Sequence, residues 1–222
     1  MRIEELRSNG KSKKLISSNI NIRTGRTSVV SLDFFTKSSP ERDYFIGLLC
    51  TDGSIGSTDY GIQIQLNDKE ILEEVGRIIN VPVYEKIDKR YNSKMYMLRF
   101  RNKNIHKYLV SIGLTPKKTS TLKLSIPLNN HILRGIFDGD GSIFRNKQGR
   151  NIINIVSASK EFTEQIADFL KKSDISVSSV KFCNNVYNIN IYRKQEVEKF
   201  GWLIYLNATL YINRKYMKFN AV

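Results

Sequence analysis

Polar and apolar residues alternate along 60 to 66, YGIQIQL, a period of two that predicts a strand with one apolar face. The stretch before it lacks that alternation: YFIGLLC, residues 44 to 50, is a continuous apolar run and reads as a helix. Ser39 and Pro40 supply its N-cap and first helical position, and Asp52-Gly53 ends it, glycine being favoured just past a helix C-terminus. Asn67, with Glu70 three residues on, has the spacing of a capping box and opens an amphipathic helix through ILEEVGRII. Two more strands, near 82 to 88 and 94 to 101, flank a turn at Tyr91-Asn92-Ser93, and a helix near 104 to 112 closes the unit. The order is helix, two strands, helix, two strands, helix.

That order is then written a second time, from about 130 to 206. YFIGLLCTDGSI at 44 to 55 is answered by ILRGIFDGDGSI at 132 to 143. Ile62 and Ile64 before Lys69-Glu70 answer to Ile153 and Ile155 before Lys160-Glu161, and Tyr96, Leu98 and Phe100 answer to Tyr187, Ile189 and Ile191. These downstream pairs share one offset. Chance can supply one such match but not three in order, so the chain reads as two homologous halves joined near Ile126-Pro127-Leu128, a first of 41 to 125 and a second of 126 to 222, behind a segment of 1 to 40 outside the repeat.

Charge changes the picture next. Lys plus Arg number 36 against 21 Asp plus Glu, a formal +15, more than solubility requires and pointing to a polyanion, nucleic acid ahead of a membrane surface. Apolar runs such as Tyr44 to Cys50 fall far short of the roughly 20 residues of a membrane span, and MRIEELRSNG has no signal-peptide stretch. The expectation is an intracellular protein that meets no membrane: cytoplasmic or nucleoid-associated in a bacterium or phage, or in an organellar matrix. Cys50 and Cys183 form no CxxC or zinc-spaced cluster, which argues against a disulfide framework and a structural zinc.

Chemistry concentrates at the repeated string. Gly47 with Thr51, and Gly135 with Gly139, place small residues four apart on one helical face, so two helix backbones can approach closely. Each helix then finishes on an aspartate, Asp52 or Asp140, at the negative end of its own dipole. Two such ends side by side repel unless a cation sits between them, and hard carboxylate oxygens suit Mg2+, with Mn2+ as a substitute. The reaction that follows is hydrolysis of a phosphodiester. An isolated Asp-Gly would be read as a helix stop, and only the duplication raises it above that. Asp138-Gly139-Asp140-Gly141-Ser142 has the look of a calcium loop, but the twelfth position from Asp138 is Gly149, where a bidentate Glu is required. Asp138 answers to Cys50 and so reads as a supporting residue at the helix end, not a paired ligand.

The segments FIGLLCTDG at 45 to 53 and LRGIFDGDG at 133 to 141 resemble the signature of the LAGLIDADG homing endonucleases, and the resemblance covers about residues 41 to 218. It implies an α+β fold of two pseudosymmetric αββαββα halves packed through their motif helices, with antiparallel sheets forming a DNA-binding saddle. It implies a monomeric, metal-dependent endonuclease that cuts both strands of a long, asymmetric duplex site across the minor groove and leaves 3′ overhangs. Asp52 and Asp140 become the metal ligands and catalytic acids. Members of the family often add a lysine from each half, for which the candidates are Lys118 in TPKKTSTLK and Lys215 in INRKYMKF, in competition with Lys117, Lys123, Arg214 and Lys218.

The repeat also sorts the strands into faces. With Ile62, Ile64, Leu66, Tyr96, Leu98 and Phe100 toward the core, Gln63, Gln65, Met97, Arg99 and Arg101 line the opposite face, and Asn154, Asn188, Asn190 and Tyr192 line it in the second half. Arg suits guanine edges, and Asn or Gln adenine. Residues 1 to 40, with Lys11, Lys13, Lys14, Arg23 and Arg26, form either a basic arm along DNA or a small helix-turn-helix. The ends, Met1 and FNAV, carry no terminal His-Asn before a nucleophile, so a freestanding or intron-encoded enzyme is expected and not an intact intein. The competing reading is a nuclease-dead DNA-binding relative or an RNA maturase that assists intron splicing.

Overall fold

The computed structural model describes residues 30–88 and 92–220. The basic residues Lys11 to Arg26 and Tyr91 of the predicted turn lie outside the described residues. A short helix α1 (Leu32–Thr36) leads into the first half: α2 (Pro40–Thr51), β1 (Gly53–Ile55), β2 (Gly61–Leu66), α3 (Lys69–Ile79), β3 (Val83–Asp88), β4 (Ser93–Arg101) and α4 (Lys103–Ser111). The second half is α5 (Asn130–Asp140), β5 (Ser142–Arg145), β6 (Asn151–Ser157), α6 (Lys160–Lys172), β7 (Lys181–Cys183), β8 (Val186–Ile191) and α7 (Lys194–Tyr205), with a last helix α8 (Asn213–Asn220). The expected αββαββα order holds in both halves. Neither α1, α8 nor the 3₁₀ turn Lys118–Ser120 was signalled by periodicity.

Each half carries a four-stranded antiparallel sheet, ordered β1-β2-β4-β3 and β5-β6-β8-β7. The alternation sets the faces largely as read: Ile62, Ile64, Leu66, Leu98 and Phe100 are buried, as are Ile153, Ile155, Ile189 and Ile191, while Tyr96 and Tyr187 near the strand starts are only partly buried and the residues between stay in contact with solvent. Ser54 pairs with Gln63 but Ser142 with Asn154, so the second half's first hairpin is three residues longer than the first half's. The repeat is one architecture with an unequal loop.

The motif helices α2 and α5 form the seam. A Cβ on Gly47 would lie 2.2 Å from the Ile132 carbonyl oxygen, and one on Gly135 would lie 2.2 Å from that of Tyr44. Glycine is required on both sides because the two backbones touch there. At the start of the seam Asn129 caps α5, accepting from His131 N and Ile132 N at 3.0 and 2.9 Å, and donates across to the Asp43 carboxylate at 2.7 Å. Ser39 caps α2 as expected, accepting from Arg42 N at 3.1 Å.

Two local expectations are corrected. The capping box at Asn67 and Glu70 does not form: Asp68 is the N-cap of α3 without a side-chain cap bond, because Arg214 holds both its carboxylate oxygens at 2.8 Å. Gly53 ends α2 without a left-handed residue. Its place is demanded by crowding, since a Cβ there would meet the Leu49 carbonyl oxygen at 2.5 Å. No helix among the described residues is long and apolar enough to cross a membrane.

Candidate active site and nucleic-acid interface

Asp52 is the C-cap of α2, and Asp140 is the last residue of α5. The glycine seam brings the two helix ends together: a Cβ on Gly139 would lie 2.0 Å from Thr51 Oγ1 and 2.7 Å from Asp52 Oδ2. Thr51 Oγ1 lies 3.0 Å from the Leu48 carbonyl oxygen and 3.2 Å from Asp52 Oδ2, with one proton to donate to either. Burial and then the charge of Asp140 push the Asp52 carboxyl up to about 6. Burial also raises Asp140, which is open to solvent on one side, against the pull of Lys215 and Lys118. Two acids so placed, at the negative ends of two helix dipoles, are a donor set that a hard divalent cation suits. Among the described residues no group of three or more His, Cys, Asp and Glu side chains could hold a metal, so a cation here would complete its shell with carbonyl, water or phosphate oxygens.

Lys118 and Lys215 are both buried, one against the end of each motif helix, and both act on the charge of the acid pair. Lys118 Nζ donates to Gly53 O at 2.6 Å, and burial lowers its pKa. Lys215 Nζ donates to three carbonyls, those of Phe137 at 2.8 Å, Gly139 at 3.0 Å and Gly141 at 2.7 Å, and burial brings it down to about 8. An ammonium has three N–H groups, so Lys215 is saturated by the end of α5 while Lys118 keeps two. Among the competing cations Lys117, Lys123 and Lys218 are exposed and Arg214 is committed to Asp68.

Asp138 supports the site from behind. It is buried and accepts from Tyr44 Oη, Tyr205 Oη and Ile212 N, each at 2.8 Å, which ties α2, α7 and the approach to α8 to one carboxylate. Fully buried Arg134 lies over the Tyr44 ring at 5.2 Å and donates to the Leu210 and Ile204 carbonyls at 2.7 and 2.9 Å. Because Ile212 starts the turn that leads to Lys215, Asp138 fixes where that lysine enters.

The two open sheet faces extend outward from the helix ends. In the first, Gln63 pairs with Arg99, Gln65 with Met97 and Gly61 with Arg101. In the second, Asn154 pairs with Asn190 and donates to it at 3.0 Å, Asn190 donates to Asn188 at 3.3 Å, and Tyr192 is exposed just past β8. Sequence reasoning passed over Ser54 and Ser142, which share those rows opposite Gln63 and Asn154, although both sit in the repeated DGSI. It also passed over Asp59, whose Oδ2 lies 3.3 Å from Arg99 and 3.0 Å from Arg101, because that loop residue has no counterpart in the repeat.

Comparison with known proteins agrees half by half. The WhiA LAGLIDADG-like domain matches residues 41–122 and the LAGLIDADG-like domain matches residues 128–204. An uncharacterised protein of Methanocaldococcus jannaschii is 26% identical over 186 residues, 78% of this chain and 70% of that one. The LAGLIDADG meganuclease I-AabMI bound to uncleaved DNA superposes with a TM-score of 0.59 at 13% identity, over 83% of this chain and 90% of that one. Full-length DUF199/WhiA from Thermatoga maritima gives 0.56 at 14% identity over 85% of this chain, which spans only 62% of that protein. With a matching domain in each half and the fold in common, this chain belongs to the LAGLIDADG family.

Proposed function

We propose that the protein is a site-specific endonuclease of double-stranded DNA that hydrolyses one phosphodiester in each strand, leaves 3′ overhangs and works as a monomer on a long, asymmetric site. The observation that supports this reading is the pair Asp52 and Asp140 at the adjoining ends of the two helices that meet at the Gly47–Gly135 seam, near enough for the charge of Asp140 to raise Asp52. A pure binding protein gains nothing from two acids at one place on a +15 chain.

Asp52 and Asp140 would hold Mg2+, or Mn2+ in its place, and such a cation supplies an acidified water and screens charge on the phosphate. The Thr51 hydroxyl lies within reach of both the Leu48 carbonyl and the Asp52 carboxylate and shares its one proton between them. Lys118, with two N–H groups left over, orients a water or stabilises charge on a non-bridging phosphate oxygen. Lys215 holds the end of α5 in place, so its contribution is to position Asp140. The glutamine and arginine face reads one side of the target, the asparagine face with Tyr192 reads the other, and the remaining surface cations grip phosphates without regard to sequence. An RNA maturase or a DNA-binding relative that does not cut is the second reading, favoured by the saturation of Lys215 with carbonyls.

The test is sequencing of cut ends from a randomised duplex library incubated with Mg2+. Asp52→Asn and Asp140→Asn should each lower cleavage by at least about 10²–10³ with duplex affinity kept, the size of effect seen when a group acting on developing charge is lost. Wild-type cutting by either variant, or binding without cutting by the wild type, sinks the nuclease reading.

A further inference from the structure

Asp59 stands on the loop between β1 and β2, at the edge of the open face of the first sheet. One carboxylate oxygen accepts from Gly61 N at 3.1 Å, and the other meets Arg101 at 3.0 Å and Arg99 at 3.3 Å. The loop is built around this side chain. A Cβ on Gly56 would lie 2.0 Å from Asp59 Oδ1 and one on Gly61 2.9 Å from it, so both positions are glycine where the carboxylate needs the room. Gly56 N donates to Gly61 O at 2.8 Å, and His106 on α4 meets the Gly56 carbonyl at 2.7 Å and packs edge-on against Tyr60 at 5.4 Å. Tyr60 takes a φ of 52°, a conformation a bulky residue adopts only under constraint.

Two half-exposed ion pairs add little to stability, so stability alone does not explain a loop so constrained. For a polyanion-binding surface the acid is a cost, because it repels phosphates and neutralises arginines that would otherwise attract them. What it supplies is order. Two arginines two residues apart on one strand face repel each other and carry many rotamers. A carboxylate fixed by the loop and shared between them offsets that repulsion and holds one N–H-bearing nitrogen of each guanidinium beside it, leaving their other N–H groups without a partner in Asp59.

We propose that Asp59 is a positioning residue for base readout, which holds Arg99 and Arg101 together for guanine edges in one half-site and withholds them from phosphates. This rests on the reading of the protein as a duplex-binding one. Rejection of wrong sequences by a built-in repulsive element is a general route to specificity. The corresponding loop of the second half carries Lys147 and Arg150 and no acid, so the device belongs to one half alone.

The experiment compares wild type, Asp59→Asn, Arg99→Ala/Arg101→Ala and the triple variant for base preference in a randomised duplex pool and for the salt dependence of affinity. Asparagine keeps both the volume and the acceptor for Gly61 N, and Asp59→Ser, which also keeps an acceptor, serves as a second form of the same change. Either substitution should tighten binding to mixed-sequence duplex at low salt, steepen the salt slope by up to about 1, and weaken preference at the base pairs that the double arginine variant also loses. In the double-alanine background Asp59→Asn should leave the preference profile unchanged. A wild-type profile and slope for both Asp59 variants overturns the inference, as does a change that persists without the arginines. A wild type that selects no sequence overturns the duplex-reading function and the inference with it, whereas a clear wild-type site with indifferent Asp59 variants overturns the inference only.

Discussion

Cys50 and Asp138 occupy the same position on the two motif helices, and few pairs in the repeat differ more. Cys50 is a buried thiol pushed up to about 12 by burial, an apolar filler without a hydrogen bond to explain it. Asp138 gathers two tyrosine hydroxyls and a backbone N–H. The contrast extends outward. The first half's open face carries two arginines under an acid, and the second half's carries a chain of asparagine amides. What stayed alike is what the seam and the paired acids need: Gly47 and Gly135, Asp52 and Asp140, and one buried lysine against the end of each motif helix. Divergence is confined to the residues that support or surround them, so an enclosing scaffold tolerates change where a symmetric contact does not.

The largest expected effect tests that asymmetry directly. Asp138→Ala leaves three buried donors unpaired and should cost about 3–5 kcal/mol. Cys50→Ala removes one buried sulfur and should cost about 1 kcal/mol. Urea unfolding of both variants checks this, and equal losses would show that the two positions are interchangeable after all. Asp138→Ala should also slow cleavage through Lys215, whose entry it fixes, while Cys50→Ala should leave cleavage near the wild-type rate.

A smaller effect separates the shared acids from their surroundings by pH. Asp52 has its carboxyl raised from 3.8 to about 6, so the folded state holds that proton more tightly than the unfolded one. Its contribution therefore falls as pH rises from about 4 through about 6, and the penalty is present in full above that. Without divalent cation, Asp52→Asn should be more stable than wild type by about 1–3 kcal/mol at pH 7.5 and no different near pH 4. Thermal unfolding across that range measures it, and Mg2+ should stabilise wild type more than the variant. A gain for Asp52→Asn that is the same at pH 4 as at pH 7.5 would mean that ionisation of Asp52 is not its cause.

The sequence made the seam and the sheet faces legible because both are written in periods: four-residue spacing for Gly47 with Thr51, and alternation for Ile62 to Leu66. Asp52 and Asp140 were legible because they recur. Features that depend on one long-range contact were not. Asp68 gave up its capping role to Arg214, which lies far along the chain, and nothing local announces that pairing. The two lysines could be proposed from the family resemblance, but only burial separates Lys118 and Lys215 from their charged neighbours, and only three carbonyls reveal that Lys215 is saturated. Asp59 was invisible for the opposite reason: comparing the chain with itself finds what was kept, and this residue exists in one half only.

The smallest effect concerns the two faces. Arg99→Ala and Asn190→Ala are related by the repeat, since both residues lie on the central strand opposite Gln63 and Asn154 respectively. If both read base edges, each should relax preference at one or two base pairs, Arg99 by about 1–3 kcal/mol and Asn190 toward the lower end of that range, because its amide is already shared with Asn154 and Asn188. The losses should map to opposite half-sites. Salt provides the second axis: Asn190→Ala removes no charge and should leave the slope of affinity against salt unchanged, so a shift there would point to a rearranged sheet. Lys118→Ala should instead slow cutting on every sequence while the preferred site stays the same, since it acts at the phosphate. A cleavage profile over all single-base variants of the selected site, at fixed salt, reads these outcomes together. Uniform loss across positions for Arg99→Ala would make it a phosphate clamp, and the two halves would then divide the labour between grip and readout instead of each reading its own half.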